Sequence, residues 1–85
     1  MSYRVVITPT AIKERKRLDI ENRKRIDAAL KRLVETARPP GAKKLTGSKN
    51  DWRIRVGNYR ILYEINDTDG VITVWRIAHR REAYR

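Results

Sequence analysis

The sequence predicts an α+β domain in which two N-terminal helices pack on one face of a small antiparallel β-sheet. Three observations predict it: apolar residues recur at helical spacing between residues 19 and 37, β-rich segments follow, and short turn motifs separate those segments. The order of elements is β-α-α-β-β-β. Because both helices come before the main strands, they are expected to share one face of the sheet. The 85 residues are expected to form a single domain, 1–85.

The N-terminal half predicts one strand and two helices. "YRVVI" (3–7) is rich in β-branched residues and predicts a strand. The sequence does not say which edge of the sheet this strand takes. Thr8 and Pro9 begin a helix, since threonine caps helices and proline suits the first helical position. A second helix is expected after Asp19, and "RPPG" (38–41) ends it. Its apolar stripe consists of Ile26, Ala29, Leu30, Leu33, Val34 and Ala37.

The C-terminal half predicts three strands, at 51–56, 59–66 and 71–77. Gly57-Asn58 connects the first two, and Asp67-Thr68-Asp69-Gly70 connects the last two. Both connections have the composition of tight turns. The segment before them, "AKKLTGSKN" (42–50), is expected to be a basic loop.

The turn at Gly57-Asn58 determines which side chains lie opposite each other. With two turn residues, Arg55 pairs with Arg60, and Arg53 lies on the same face, away from the helices. Like charges opposite each other in a sheet are unfavourable, and residues 52–63 include no acid to separate them. The pair therefore indicates a site for an anion.

The overall charge also points to a polyanion. The chain has 21 Lys and Arg against ten Asp and Glu, a formal net charge of +11. The guanidinium group forks onto phosphate oxygens, so RNA, DNA or the ribosome is the expected partner. An anionic lipid surface and an acidic protein are the alternatives. No apolar run is long enough for a membrane helix, and the absence of cysteine suits the cytoplasm.

The last strand returns beside the second, which should bring the residues after it close to Arg60. These are His79, Arg80 and Tyr84. Arginines neutralise phosphate oxygens, an imidazole can move a proton, and an aromatic ring can stack a base. Alternatively, His79 is a surface or packing residue and Tyr84 covers the edge of the core. Candidate phosphate contacts in the basic loop are Lys43, Lys44 and Lys49.

No cofactor or metal is expected. The acids that could suggest a metal site are Asp51, Asp67 and Asp69, which all fall at turns. No histidine or cysteine accompanies them, and aspartate is an ordinary turn residue.

Four stretches carry a resemblance to a known family: "YRVVITPTAIKERKRL" (3–18), "KKLTG" (43–47), "WRIRVGNYRILYEI" (52–65) and "VITVWRIAHRREAYR" (71–85). Together they resemble the RelE toxins of the RelE/ParE superfamily over essentially the whole chain. The resemblance implies the toxin of a type II toxin–antitoxin system. Such a toxin is a ribosome-dependent endoribonuclease, an mRNA interferase, which cuts mRNA in the A site and inhibits translation. It also implies a cognate antitoxin, RelB-like or of another type.

The resemblance further implies the role of each site residue. Arg60 and Arg80 match arginines that would stabilise charge on the phosphoryl oxygens, and Tyr84 matches a tyrosine that would stack a base or assist proton transfer. The implied reaction is attack by a ribose 2′-oxygen on the adjacent phosphate, which leaves a 2′,3′-cyclic phosphate without using a metal. Arg53 and Arg55 fall where RelE has lysines. Since a guanidinium stays protonated, they can only bind phosphate, and the candidate base becomes His79.

Two rival functions stay open. A ParE-like toxin would have the same fold and would inhibit DNA gyrase by binding protein, although such relatives generally lack the arginine and tyrosine set. A non-catalytic RNA- or ribosome-binding module would agree with the size and charge, and its binding would not depend on His79.

Overall fold

The structure, a computed structural model, describes residues 2–82. Two helices pack on one face of a five-stranded sheet, which confirms the predicted α+β class. Across the sheet the strand order is β1-β5-β4-β3-β2. The elements are β1 (Arg4–Ile7), α1 (Pro9–Lys16), α2 (Ile20–Glu35), β2 (Lys43–Lys44), β3 (Asp51–Val56), β4 (Tyr59–Asn66) and β5 (Val71–His79). Neither helix in this range has the length and apolar content that crossing a membrane requires.

The sheet is mixed, whereas the sequence predicts an antiparallel one. β1 takes the edge beside β5 and runs parallel to it, with Arg4 opposite Val71 and Ile7 opposite Val74. A parallel pair needs a long crossover, and the chain between β1 and β5 includes both helices. The short strand β2 lies inside the predicted basic loop and pairs antiparallel with β3.

Both predicted helix starts are confirmed, but the two caps differ. The Thr8 hydroxyl accepts a hydrogen bond from the Ala11 N–H at 3.3 Å, and Pro9 is the first helical residue. Asp19 caps α2 without a side-chain bond to the backbone; its carboxylate accepts from Asn22 Nδ2 at 2.6 Å instead. The buried face of α2 includes Ile26, which is fully buried against the sheet.

The β3–β4 hairpin has the predicted register. Arg55 lies opposite Arg60, and Ile54 lies opposite Ile61. Gly57 has φ of +60°, whereas Asn58 has no positive φ, as a type II′ turn requires. A Cβ at residue 57 would also lie 3.3 Å from the Arg25 guanidinium. The positive φ therefore favours glycine here, whereas the exposed end of the Arg25 side chain could move aside for a Cβ.

A β-bulge in β5 shifts the pairing with β4. Leu62 pairs with Arg76, but Tyr63 pairs with Val74, so Trp75 is an extra residue. Val74 and Ile77 both belong to the core although they are three positions apart, which strict alternation would forbid. The bulge therefore turns Trp75 and Arg76 together toward the face opposite the helices.

One carboxylate connects α1 to the part of β5 that extends past β1. Glu14 Oε1 accepts from the Ile77 N–H at 2.8 Å, and Glu14 Oε2 accepts from Arg76 Nε at 2.8 Å. The Thr8 N–H donates to the Val74 carbonyl. The pairing of β1 with β5 ends at Val74. Glu14 thus replaces a neighbouring strand at this edge.

Tyr63 anchors the chain where it leaves α2. Its ring is fully buried, and its hydroxyl donates to the Ala37 carbonyl at 2.8 Å. Burial raises the pKa of Tyr63 to about 12. Arg38, the next residue after Ala37, pairs with Asp67 at 2.9 Å and lies over the Trp52 ring.

Replacing Glu14 with glutamine should lower the free energy of unfolding by about 1–3 kcal/mol, because a charge-assisted bond is lost at a partly buried site. Urea unfolding monitored by circular dichroism measures the change. Glu35→Gln, at an exposed position of α2, is the matched control and should change little. Equal stability of the two variants would show that Glu14 does not hold α1 on β5.

Tyr63 should make the protein lose stability in alkali. The raised pKa favours the protonated phenol in the folded state, so the contribution is complete below about pH 10. It is then lost as the pH rises toward about 12. Relative to Tyr63→Phe, the free energy of unfolding of the parent protein should therefore fall between these values. Tyr59→Phe, which retains Tyr63, should show the same fall; parallel curves for the parent and Tyr63→Phe would contradict the assignment.

Candidate nucleic-acid interface

The face of the sheet opposite the helices carries the arginine pair of the predicted site together with Arg53 and Lys43, and we call it the arginine face. Strand alternation and the bulge assign its members. It consists of Lys43, Arg53, Arg55, Arg60, Leu62, Trp75, Arg76 and Ala78.

One row of this face crosses four strands. Lys43 lies opposite Arg53, which lies opposite Leu62, which lies opposite Arg76. Neighbouring strands are about 4.8 Å apart, so Lys43 and Arg53 form a second pair of opposed cations. Lys43 is exposed and Arg53 is half-buried. The basic surface therefore extends to the edge of the sheet.

The next row contains the predicted pair and confirms its register. Arg55 lies opposite Arg60, which lies opposite Ala78. Arg55 is exposed, whereas Arg60 is only 5% exposed and is held by contacts of its own. Arg60 is thus a buried charge, and Arg55 beside it is an exposed one. This difference cannot be seen in the alternation of the sequence.

The basic surface ends at a row of opposite charge. Asp51 lies opposite Glu64, and Ser48 Oγ donates to the Asp51 carboxylate at 2.7 Å. Asp51 and Arg55 are four positions apart along the strand, a distance of about 13 Å. The face is therefore positive at the Gly57-Asn58 end and negative at the other.

Arg80 lies at the positive end, as predicted. Its backbone N–H donates to the Asn58 carbonyl at 2.8 Å, which ties it to the turn beside Arg55 and Arg60. The Arg80 side chain is exposed. Tyr84 lies outside the described residues, so its predicted role stays a prediction.

His79 is not on the arginine face. It pairs with Tyr59, and the two rings meet edge to face with centroids 5.4 Å apart. Its Nδ1 accepts from the Arg81 N–H at 3.3 Å. The bulge is the physical reason: without the extra residue, alternation after Val74 would place residue 79 on the same face as Arg60. The structure therefore separates His79 from the arginines that the sequence grouped with it.

The three lysines of the predicted loop are separated as well. Lys43 joins the arginine face, but Lys44 lies opposite Trp52 and shares the helix side of the sheet. Lys49 precedes Asp51, so it lies near the acidic end of β3. Only Lys43 therefore lies beside the arginines.

Sequence reasoning missed Trp75 and Arg76 as members of this face. The signal was present: inward apolar residues fall at even positions up to Val74 and then at Ile77, so the phase changes within β5. Such a change of phase in a strand is the expected mark of a bulge.

Sequence reasoning also missed a groove beside the arginine face. It lies between α2 and the edge of β3, with a volume of about 270 Å³. Arg25, Arg32 and Arg55 line it together with Ile54, Val56 and two prolines. Arg55 thus borders both the groove and the arginine face.

The fold and its basic face describe a small α+β protein with one strongly cationic surface, and comparisons with known proteins give the family. Residues 5–84 match the family model described as the ParE toxin of the type II toxin–antitoxin system parDE. Toxin RelE3 of Methanocaldococcus jannaschii is 36% identical over 90 residues, which cover 95% of this chain and 94% of that protein.

Solved structures agree with this relationship. The RelE–RelB complex of Pyrococcus horikoshii has a TM-score of 0.85 at 28% identity, with 98% of this chain and 100% of that chain covered. The intact RelBE toxin–antitoxin complex of E. coli has a TM-score of 0.79 at 25% identity, with 92% and 96% covered. The chain therefore belongs to the ParE toxin family of type II toxin–antitoxin systems, as a RelE-type toxin.

Proposed function

We propose that this toxin is a ribosome-dependent mRNA endoribonuclease, which cuts mRNA in the A site and so inhibits translation in the cytoplasm. The observation that carries the proposal is the opposed Arg55–Arg60 pair on a face with further cations. Guanidinium groups on two neighbouring strands can donate to the oxygens of one phosphate, so this face is suited to an RNA backbone. The RelE-type family membership agrees with this choice of reaction.

The proposed chemistry is an internal transfer at phosphorus. The ribose 2′-oxygen attacks the neighbouring phosphate and loses its proton, and the bond to the 5′-oxygen of the next nucleotide breaks. The products are a 2′,3′-cyclic phosphate and a 5′-hydroxyl, which takes up a proton. Arg60 and Arg80 would stabilise the charge that develops on the phosphoryl oxygens. Arg53, Arg55 and Lys43 would hold the flanking backbone.

The acceptor of the 2′-hydroxyl proton is a separate question. The sequence assigns this role to His79, the only histidine in the chain. The His79 ring contacts the Tyr59 ring on the face of the sheet opposite the arginines, and its Nδ1 accepts from the Arg81 N–H. The Glu82 N–H also donates to the His79 carbonyl at 2.8 Å. This geometry favours a second role, in which His79 holds the turn that carries Arg80.

A cognate antitoxin is the proposed protein partner, because the similar structures include RelE–RelB complexes from P. horikoshii and E. coli. Since the arginine face and the groove beside it are basic, we propose that an acidic antitoxin segment covers them. RNA and antitoxin should then compete, and simultaneous binding would argue against such coverage.

Inhibition of DNA gyrase is the second candidate function, favoured by the family model, which describes a ParE toxin. Supercoiling and translation assays on the same purified protein distinguish the two. Loss of supercoiling without RNA cleavage would decide for gyrase. Ribosome binding with neither effect would leave a non-catalytic binding module.

Arg60→Lys should reduce A-site cleavage at least 100-fold, because lysine keeps the charge but loses the two-pronged donor. Primer extension on ribosome-bound mRNA measures the cleavage. Lysine is preferred to alanine here because residue 60 is buried, and circular dichroism checks the fold. Arg4→Lys, at an exposed position of β1, should cleave normally. Normal cleavage by Arg60→Lys would show that the Arg60 guanidinium does not act in cleavage.

His79→Asn and His79→Gln distinguish the two roles of His79. An asparagine oxygen lies near the position of Nδ1 and can accept from the Arg81 N–H, whereas glutamine reaches toward Nε2. Neither amide takes up a proton at neutral pH. We expect Asn to keep most of the cleavage rate and Gln to lose it. If His79 takes the proton, both variants should lose at least 100-fold and show a flattened pH profile.

A further inference from the structure

Trp75 has no structural role in the main core. It is half-buried, yet it belongs neither to the buried core cluster nor to the partly buried apolar residues packed against that cluster. Trp52, the other tryptophan, does pack there. The bulge explains the difference, since it turns Trp75 and Arg76 to the arginine face.

The arginine face has a small buried apolar patch, with Trp75 at its margin. Leu62 is 3% exposed and Ala78 is 2% exposed, and by alternation both lie on this face. Neither belongs to the core cluster on the helix side. Leu62 pairs with Arg53 on one side and with Arg76 on the other. The patch therefore lies between cations, with an aromatic side chain at its margin.

The charges around the patch are unequal. Glu14 pairs with Arg76 Nε at 2.8 Å, and Glu82 lies 3.9 Å from Arg76 Nη2. Arg76 is therefore largely neutralised beside Trp75. Within residues 2–82, no ion pair is found for Arg53 or Arg55, on the β3 side of the patch. A ligand with a flat apolar part and a nearby anionic part would match this arrangement.

The indole orientation favours stacking over hydrogen bonding. The Trp75 Nε1 atom is buried and has no hydrogen-bond partner among the described residues. The exposed part of the side chain is therefore ring carbon. Base–aromatic stacking uses ring faces and tolerates any base, so an aromatic here would bind single strands with little sequence preference.

We propose that Trp75 is a nucleobase-stacking residue: a base of single-stranded RNA stacks on the indole while Arg53 and Arg55 bind the adjacent backbone phosphates. The proposal deepens the function proposed above and rests on it only for the choice of RNA as ligand. It concerns binding, so it can be tested without ribosomes and without cleavage.

The test uses tryptophan fluorescence in the full chain. In Trp52→Phe, Trp75 is the only tryptophan, and titration with a ten-nucleotide oligo(A) RNA should quench its emission. An abasic oligonucleotide of the same length and an RNA duplex should quench little, because neither presents an unstacked base. In Trp75→Phe, the remaining Trp52 should keep its emission throughout.

Affinity gives an independent measurement. Trp75→Leu, which retains apolar volume, should bind oligo(A) about 5- to 150-fold more weakly, with an unchanged salt dependence because the phosphate contacts remain. Trp75→Phe should keep most of the affinity. Arg55→Gln tests the phosphate contact instead of the stacking contact. It should make the slope of log affinity against log salt shallower by about 0.7, and oligo(A) should still quench Trp75 emission.

The proposal would be overturned by binding of oligo(A) without quenching of Trp75, by equal affinity of Trp75→Leu and Trp75→Phe, or by no binding to the Trp52→Phe protein. Quenching by duplex as strong as by single strand would also overturn it, since stacked bases cannot reach the indole. Quenching without ribosome-dependent cleavage would support the stacking site and contradict the proposed nuclease activity. The two proposals can therefore be rejected independently of each other.

Discussion

The two-residue turn between β3 and β4 is the constraint on which the rest of the protein depends. It favours a glycine at residue 57 and holds the hairpin in one register. A slip of one residue would exchange the two faces of a strand, so Ile54 would leave the core and an arginine would enter it. The register that builds the apolar face under the helices is thus the same one that opposes Arg55 to Arg60. The basic face cannot be rearranged without cost to the core.

The bulge in β5 is a second constraint, and it determines what the basic face contains. It adds Trp75 and Arg76 to that face and removes His79 from it. The described part of the face therefore combines guanidinium groups with an indole and holds no imidazole. Positioning and electrostatic stabilisation can supply a large share of a rate enhancement. Such a site suits a reaction in which the substrate carries its own nucleophile.

Local chemistry explains which features could be predicted from the sequence. The Thr8 and Asp19 starts, the ends of β3 and β4 and the Arg55–Arg60 pairing follow from cap and turn residues, whose effects reach only a few positions. The parallel edge position of β1 depends on packing against β5, far away in sequence. The place of His79 depends on one extra residue upstream, and the burial of Arg60 on its surroundings in three dimensions. The edge position of β1 and the burial of Arg60 are not encoded in local spacing, whereas the place of His79 follows from the change of phase between Val74 and Ile77.

The pairing of the first strand with the last has a consequence for the time at which the protein becomes a toxin. Arg4 and Val71 are partners, so a growing chain cannot complete its sheet until nearly all of the described residues have been synthesised. Contacts of this sequence separation form late and slowly. The strand that completes the sheet also carries Trp75 and Arg76 and leads into Arg80. A chain that lacks β5 therefore lacks both the completed sheet and part of the arginine face.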